Sequence, residues 1–317
     1  MIPLFPSDPE LVWLFGSLAA LLVMATSAGL ILKVSLSGEA AQVTMVNVMV
    51  RVRAWWVLAA VFVTALAIGD AGLLALFGLA SFLALREFIT LAPTRRGDHR
   101  ALCWIFFVIA PLQYWLVARG WYGFFSILIP VYAFLFLPIR SALIGDSERF
   151  LERTADIQWG LMVCVYCLSH APALLTLEIP GYEGESAKLL VFLVLVTELS
   201  DVLQFVWGKT LGRRRIAPTI SPSKTWEGFL GGVGSATLIG TALWWATPFT
   251  PWQAAGMSLV ITLLGFAGGL TLSAIKRDRG VKDYGALIEG HGGVLDRIDS
   301  LCFAAPVFFH LTRYFFT

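Results

Sequence analysis

Residues 187–209 read AKLLVFLVLVTELSDVLQFVWGK, and this stretch decides the class of fold. Ala187–Val206 has the length and apolar content of a membrane-crossing helix, which needs about 20 mostly apolar residues. Near the end of the run, Glu198 and Asp201 stand three residues apart on one helical face. Carboxylates are costly in hydrocarbon, so such a pair either faces a polar cavity or snorkels to the interface.

Outward from this helix the pattern repeats. Apolar stretches separated by short polar breaks fall at Leu11–Leu32, Ala54–Ile68, Ala71–Leu85, Ala101–Ala118, Trp121–Ile139, Ile157–Leu177, Gly228–Ala246, Ala254–Ile275 and Ile298–Phe316. The expectation is an all-α, polytopic membrane protein of about ten transmembrane helices. Composition agrees, since 58% of residues are hydrophobic and only 14% charged. A net charge of +2, gathered between apolar runs, argues against a nucleic-acid partner. Leu11–Leu32 has no Lys or Arg before Lys33 and is long for a signal peptide, so it reads as a retained helix. Cys103, Cys164, Cys167 and Cys302 lie in apolar stretches, so no disulfide framework is expected, and the Cys164/Cys167 pair at CxxC spacing reads as packing residues.

Lys and Arg occupy every second connection, in the sets Lys33/Arg51/Arg53, Arg86/Arg95/Arg96/Arg100, Arg140/Arg149/Arg153, Lys209–Lys224 and Lys276–Arg297. By the positive-inside bias these loops are cytoplasmic. The Arg51–Trp56 run, RVRAWW, reads as an interface anchor. Chemistry-bearing residues are sparse early and dense late. Residues 1–156 therefore read as a transmembrane scaffold and 157–317 as the catalytic region. Asp70 and Glu87 are the candidates for function in the scaffold, and charged residues at helix ends are usually solvated.

Two late connections carry the chemistry. GKTLGRRRIAPTISPSKTWEG, residues 208–228, is rich in Gly, Pro, Ser and cations and suits a polyphosphate or an anionic headgroup. SAIKRDRGVKDYGALIEGHGGVLDRIDS, residues 273–300, mixes five cations with Asp278, Asp283, Glu289, Asp296 and Asp299. Carboxylates beside Lys and Arg are what a metal-bound nucleoside triphosphate requires, as hard oxygen ligands for the metal and cations for the remaining phosphates. Gly290, Gly292 and Gly293 around His291 remove bulk where backbone amides could approach a phosphate. Asp296 and Asp299 share one helical face.

This second loop resembles the signature of the phosphatidate cytidylyltransferase (CDP-diacylglycerol synthase) family. The matching elements are Ser273, Lys276-Arg277, Lys282-Asp283, Gly290-His291-Gly292-Gly293 and Asp296-Arg297-Ile298-Asp299, all within 27 residues. SPSKTWEG, residues 221–228, is similar to the family's second motif, and Asp201 with Gly208-Lys209 matches the element before it. The likeness covers about Thr197 to the carboxy terminus.

The resemblance implies that CTP and phosphatidic acid give CDP-diacylglycerol and pyrophosphate on the cytoplasmic side of the cell inner membrane. It implies Mg2+, with room for a second cation, and a homodimer. Asp296 and Asp299 would hold metal, and Asp283 would hold metal or orient cations. Lys276, Arg277, Lys282 and Arg297 would hold phosphates, with Asp201 and His291 also catalytic. Lys209, Ser221, Ser223, Lys224, Ser273, Gly292 and Gly293 would bind substrate, with Ser221, Ser223 and Lys224 closing over the nucleotide.

Two positions depart from the family. Gly269 stands where the family usually has an Asp, and Glu289 where it usually has Pro. An impaired paralogue that binds nucleotide or lipid, or a cytidylyltransferase acting on another glycerol-phosphate lipid, therefore remains as an alternative. A transporter or scaffold would explain the helices but not the polar spacing. CDP-alcohol phosphotransferases are disfavoured because no DGxxAR element is found.

Overall fold

The computed structural model describes residues 39–317, apart from 289 and 291, together with scattered positions between 9 and 27. Nine helices are seen from residue 39 onward: α1 (Glu39–Ile68), α2 (Asp70–Leu91), α3 (Arg96–Ala118), α4 (Tyr122–Ala142), α5 (Phe150–Thr176), α6 (Ser186–Thr210), α7 (Trp226–Ala242), α8 (Pro251–Asp278) and α9 (Leu295–Phe316).

Among the described residues, six of them, α2 to α6 and α8, are long and apolar enough to cross a membrane. The chain is thus an all-α integral membrane protein, and the expected count of about ten spans is corrected to these six. The reasons are local. In α1 the apolar segment found among the described residues, Val52–Ile68, has 17 residues and falls short of a span. Helix α7 has 17 residues, just short of a span. Helix α9 is long enough but opens with Asp296, Arg297 and Asp299. The expected first helix, Leu11–Leu32, lies largely outside the described residues.

Between α6 and α7 the chain forms a short antiparallel hairpin, β1 (Arg215–Ala217) and β2 (Ser221–Thr225), which the all-α expectation lacked. Its prolines, Pro218 and Pro222, are tolerable because a two-stranded ribbon is all edge. Helices α3, α4 and α5 each contain one widened turn, at Ile105–Ile109, Leu128–Ala133 and Met162–Cys167, near Pro111, Pro130 and Pro172. A proline cannot donate to the helical ladder, and a local slip re-satisfies its neighbours.

The tightest packing joins α6, α7, α8 and α9, and α9 also rests on α2 and α5. Small residues set these approaches. Gly228 and Gly232 lie four apart on α7, and a Cβ on them would stand 2.8 Å from the Gln204 carbonyl oxygen and 2.6 Å from the Gln204 amide nitrogen. On α8, a Cβ at Gly268 would stand 2.8 Å from the Asp299 carbonyl oxygen. Backbones that touch in this way leave little slack in how α6, α8 and α9 present their polar residues to one another. The cysteines are free, with Cys164 and Cys302 buried, Cys167 partly buried and Cys103 exposed.

Candidate active site

Residues from α1, α6, the hairpin, α7, α8, the 279–294 connection and α9 enclose a cavity of about 950 Å³. Most of the residues singled out from sequence meet there. Glu198 and Asp201 come from α6, Ser223 and Lys224 from β2, Ser273 from α8, Lys282, Asp283 and Gly292 from the connection, and Asp296, Arg297 and Asp299 from α9.

The hairpin motif divides its labour. Thr225 caps α7 by accepting the Gly228 amide at 3.1 Å. Glu227 accepts the amides of Arg213 and Arg214 at 3.0 and 3.1 Å and so fastens the base of the hairpin to the start of α7. With both ends held, Lys224 turns inward, its ammonium 4.6 Å from the Phe266 ring centroid. Burial pushes the Lys224 ammonium below the ordinary lysine range, with Asp201 and Asp299 opposing that shift.

Facing Lys224 is the carboxylate group. The Ser300 hydroxyl donates to Asp201 at 2.7 Å and lies 3.4 Å from an Asp299 oxygen, while the Ser300 amide donates to Asp299 at 2.8 Å. One serine thus stands between two acids from different helices. Arg297 completes the wall, and its buried Nε has no hydrogen-bond partner among the described residues. Gly269 opens onto this group, because a Cβ there would lie 3.0 Å from Lys224 Nζ and 3.7 Å from an Asp299 oxygen.

Asp296 has a different setting. It accepts from Lys276 Nζ at 2.8 Å on one oxygen, and from the Tyr284 and Gly293 amides at 2.8 and 2.9 Å on the other. Lys276 and Asp296 are both buried, so this is an internal ion pair that ties α8 to α9 and pins the connection between them. The Gly292 amide donates to the Ile288 carbonyl at 3.1 Å. Gly292 has φ +87°, and a Cβ on it would stand 2.7 Å from an Asp296 oxygen, so only glycine fits. The amides of both glycines already have partners within the chain.

Other expected residues lie off the cavity. Arg277 donates to the carbonyls of Ile220 and Val281 at 3.1 and 3.0 Å, joining the hairpin to the connection. Ser221, at the start of β2, is buried, and Lys209 sits exposed over the Phe205 ring. His291, like Glu289, lies outside the described residues.

Sequence reasoning missed two contributions. Val52 and Trp55 of α1, read as part of an interface anchor, line the cavity, as do Val202, Phe205 and Val206 of α6. No signal in the chain links residues about 150 positions apart. Glu87 of α2, set beside solvated helix ends, accepts the Val294 and Leu295 amides at 2.9 Å each. Its only signal was an acid next to an apolar run.

Comparison with known proteins finds a likeness that extends beyond the two polar motifs. The chain is 42% identical over 272 residues to the uncharacterized protein YnbB of Escherichia coli (strain K12), covering 84% of this chain and 88% of that one. It is 38% identical over 130 residues to the phosphatidate cytidylyltransferase of Staphylococcus aureus (strain COL), covering 40% of this chain and 50% of that one. Against the phosphatidate cytidylyltransferase of Mycobacterium leprae (strain TN) the identity is 39% over 170 residues, 53% of each chain. The chain thus spans about half the length of these two named enzymes. The sequence profile of the cytidylyltransferase family matches residues 49–315, taking in α2 and Glu87 as well as the motifs, and the chain therefore belongs to that family.

Proposed function

We propose that the protein transfers the cytidylyl group of CTP to phosphatidic acid, giving CDP-diacylglycerol and pyrophosphate. The observation that carries this reading is the mixed wall of the cavity. The half-buried acids and cations Glu198, Asp201, Lys224, Arg297 and Asp299 line it together with the apolar Val52, Trp55, Val202, Phe205 and Val206. Phe205 and Val206 are also exposed. An acceptor with a charged head and apolar tails matches such a wall, whereas a soluble acceptor gains nothing from its apolar residues.

The chemistry needs no protein nucleophile. A lipid phosphate oxygen attacks the α-phosphorus of CTP, and the bond from that phosphorus to the bridging oxygen breaks, leaving the electron pair on pyrophosphate. Lys224 and Arg297 would neutralise charge on the phosphates, and the Arg297 Nε, without a hydrogen-bond partner among the described residues, is a donor available to them. Lys282 and Asp283, exposed at the mouth, are available to a nucleotide arriving from water.

Mg2+ is the cation we assign to the reaction. It is usually held by one or two carboxylates together with substrate phosphates, so a full protein cage is not required. Among the described residues no group of three His, Cys, Asp or Glu side chains could hold a metal. Asp201 and Asp299, set on either side of Ser300 and facing the cavity, fit the smaller role. Asp296, the other expected ligand, has both oxygens engaged by Lys276 and two amides, so we assign it to holding the connection. When bound, the metal would supply charge neutralisation for the leaving pyrophosphate.

The test is to reconstitute the purified protein in vesicles containing phosphatidic acid and supply CTP and Mg2+. CDP-diacylglycerol should accumulate with stoichiometric pyrophosphate. Nucleotide binding without product would instead favour the impaired paralogue, and product only with a different glycerol-phosphate lipid would change the acceptor.

A further inference from the structure

Helix α9 begins without a local cap. Its N-cap residue, Val294, offers no side-chain acceptor, yet a helix start leaves several amides unpaired. Glu87 supplies the missing acceptors from a helix more than 200 residues away in sequence: Val294 N donates to one carboxylate oxygen and Leu295 N to the other, each at 2.9 Å. A carboxylate at this end also meets the positive pole of the helix.

The surroundings are shaped for that reach. A Cβ on Gly293 would stand 2.3 Å from a Glu87 oxygen, and one on Gly285 would stand 2.7 Å from the other. These two glycines of the connection leave room for the incoming acid. The next residue, Phe88, stacks on Tyr284 with ring centroids 6.1 Å apart, and Tyr284 donates its amide to Asp296. Glu87 does not itself line the cavity. The helix it holds carries Arg297, Asp299 and Ser300 into it.

We infer that Glu87 is a positioning residue for the transfer reaction, acting through the first turn of α9 to set Arg297 against the nucleotide phosphates and Asp299 toward the cation. This rests on the function proposed above. Glu87→Gln keeps the volume but turns one acceptor into a donor facing a backbone N–H, so one of the two bonds must be lost. A small shift of catalytic groups is enough to cost about 100-fold in rate.

The experiment measures kcat and KM for CTP on the reconstituted protein, alongside amide hydrogen exchange, for the wild type, Glu87→Gln and Glu87→Asp. Glu87→Gln should lower kcat by about 10- to 100-fold with less than about threefold change in KM. Exchange should quicken at residues 293–297 and remain unchanged in α6 and α8. Glu87→Asp, which keeps both oxygens on a shorter arm, should recover part of the rate. An unchanged kcat in Glu87→Gln overturns the inference. So does faster exchange throughout the protein in both variants, because that marks a merely structural role. If the wild type makes no CDP-diacylglycerol, the functional reading fails on its own, and exchange then decides for Glu87: quickening confined to 293–297 supports it and no change overturns it.

Discussion

The frame of α2 to α5 and the Glu198, Asp201 and Asp299 wall of the cavity handle charge in opposite ways. In the frame, ionisable groups close on one another. Arg153 and Asp98 are both buried and meet at 3.0 Å, Arg153 also reaches Asp146 at 3.3 Å, and Arg95 pairs with Asp146 and Glu148. In the site, Glu198, Asp201 and Asp299 gather on one wall, while Lys224 and Arg297 approach them without an ion pair of 4 Å or less among the described residues. Charges that satisfy one another hold a structure together. Like charges kept close around a cavity are costly, and they make sense when a ligand or cation completes the set.

The largest effect that tests this contrast comes from Asp299→Asn. The substitution keeps the volume and one acceptor for the Ser300 amide but removes a charge from the cavity wall. Transfer should fall by at least about 100-fold, and the Mg2+ concentration needed for half-maximal rate should rise. Folding should change little, because no buried cation depends on Asp299 for an ion pair among the described residues. A near-normal rate would place the acids of this wall with the structural charges of the frame.

The sequence carried this division only in part. Period and apolar run length were enough to find the helices after residue 50, because lipid imposes one rule on every stretch. They overcounted spans, since a 17-residue helix and a helix that opens with three charges look like spans in a hydropathy reading. The cavity residues were legible because Lys224, Arg297 and Asp299 sit in two compact polar stretches. The separate duties of Asp296 and Asp299 were not, because spacing puts both on one helix face and only their partners tell them apart. Trp55 and Glu87 were hidden for a different reason: their partners lie far away in sequence, on α6 and α9.

The next effect compares two buried pairs, one from each region. Asp296→Asn leaves Lys276 without its counter-charge, and Arg153→Ala leaves Asp98 without its own. Removing one partner of a buried pair costs about 3–5 kcal/mol, so both variants should unfold at markedly lower denaturant or temperature. Their catalysis should separate them. Turnover per folded molecule should survive in Arg153→Ala and should drop in Asp296→Asn, whose carboxylate also holds the Tyr284 and Gly293 amides beside the cavity. Equal loss of turnover in the two would show that the frame and the site are not energetically distinct.

The smallest expected effect concerns Gly269, where the cavity wall lacks an acid. The Cβ of an Asp introduced there would stand 3.0 Å from Lys224 Nζ, 3.4 Å from the Ser300 hydroxyl and 3.7 Å from an Asp299 oxygen. The close contact is with the free end of a flexible side chain, so Lys224 can swing aside without moving backbone. The helix itself tolerates the change, since Asp is no worse a helix former than Gly. The new carboxylate has two attractions to choose between. It can pair with the Lys224 ammonium, or it can join Asp299 and Asp201 around a divalent cation, where more ligand charge tightens binding. Crowding a third acid against two others favours the cation. Gly269→Asp should therefore lower the Mg2+ concentration for half-maximal transfer by up to about tenfold, with turnover at saturating Mg2+ changed less. The measurement is a Mg2+ titration of the reconstituted enzyme at fixed CTP and phosphatidic acid, set beside the same titration of Lys224→Met/Gly269→Asp. A Mg2+ requirement that does not move in Gly269→Asp but tightens in the double variant would mean that Lys224 has captured the new acid. An unmoved requirement in both would show that the wall at Gly269 takes no part in holding the metal.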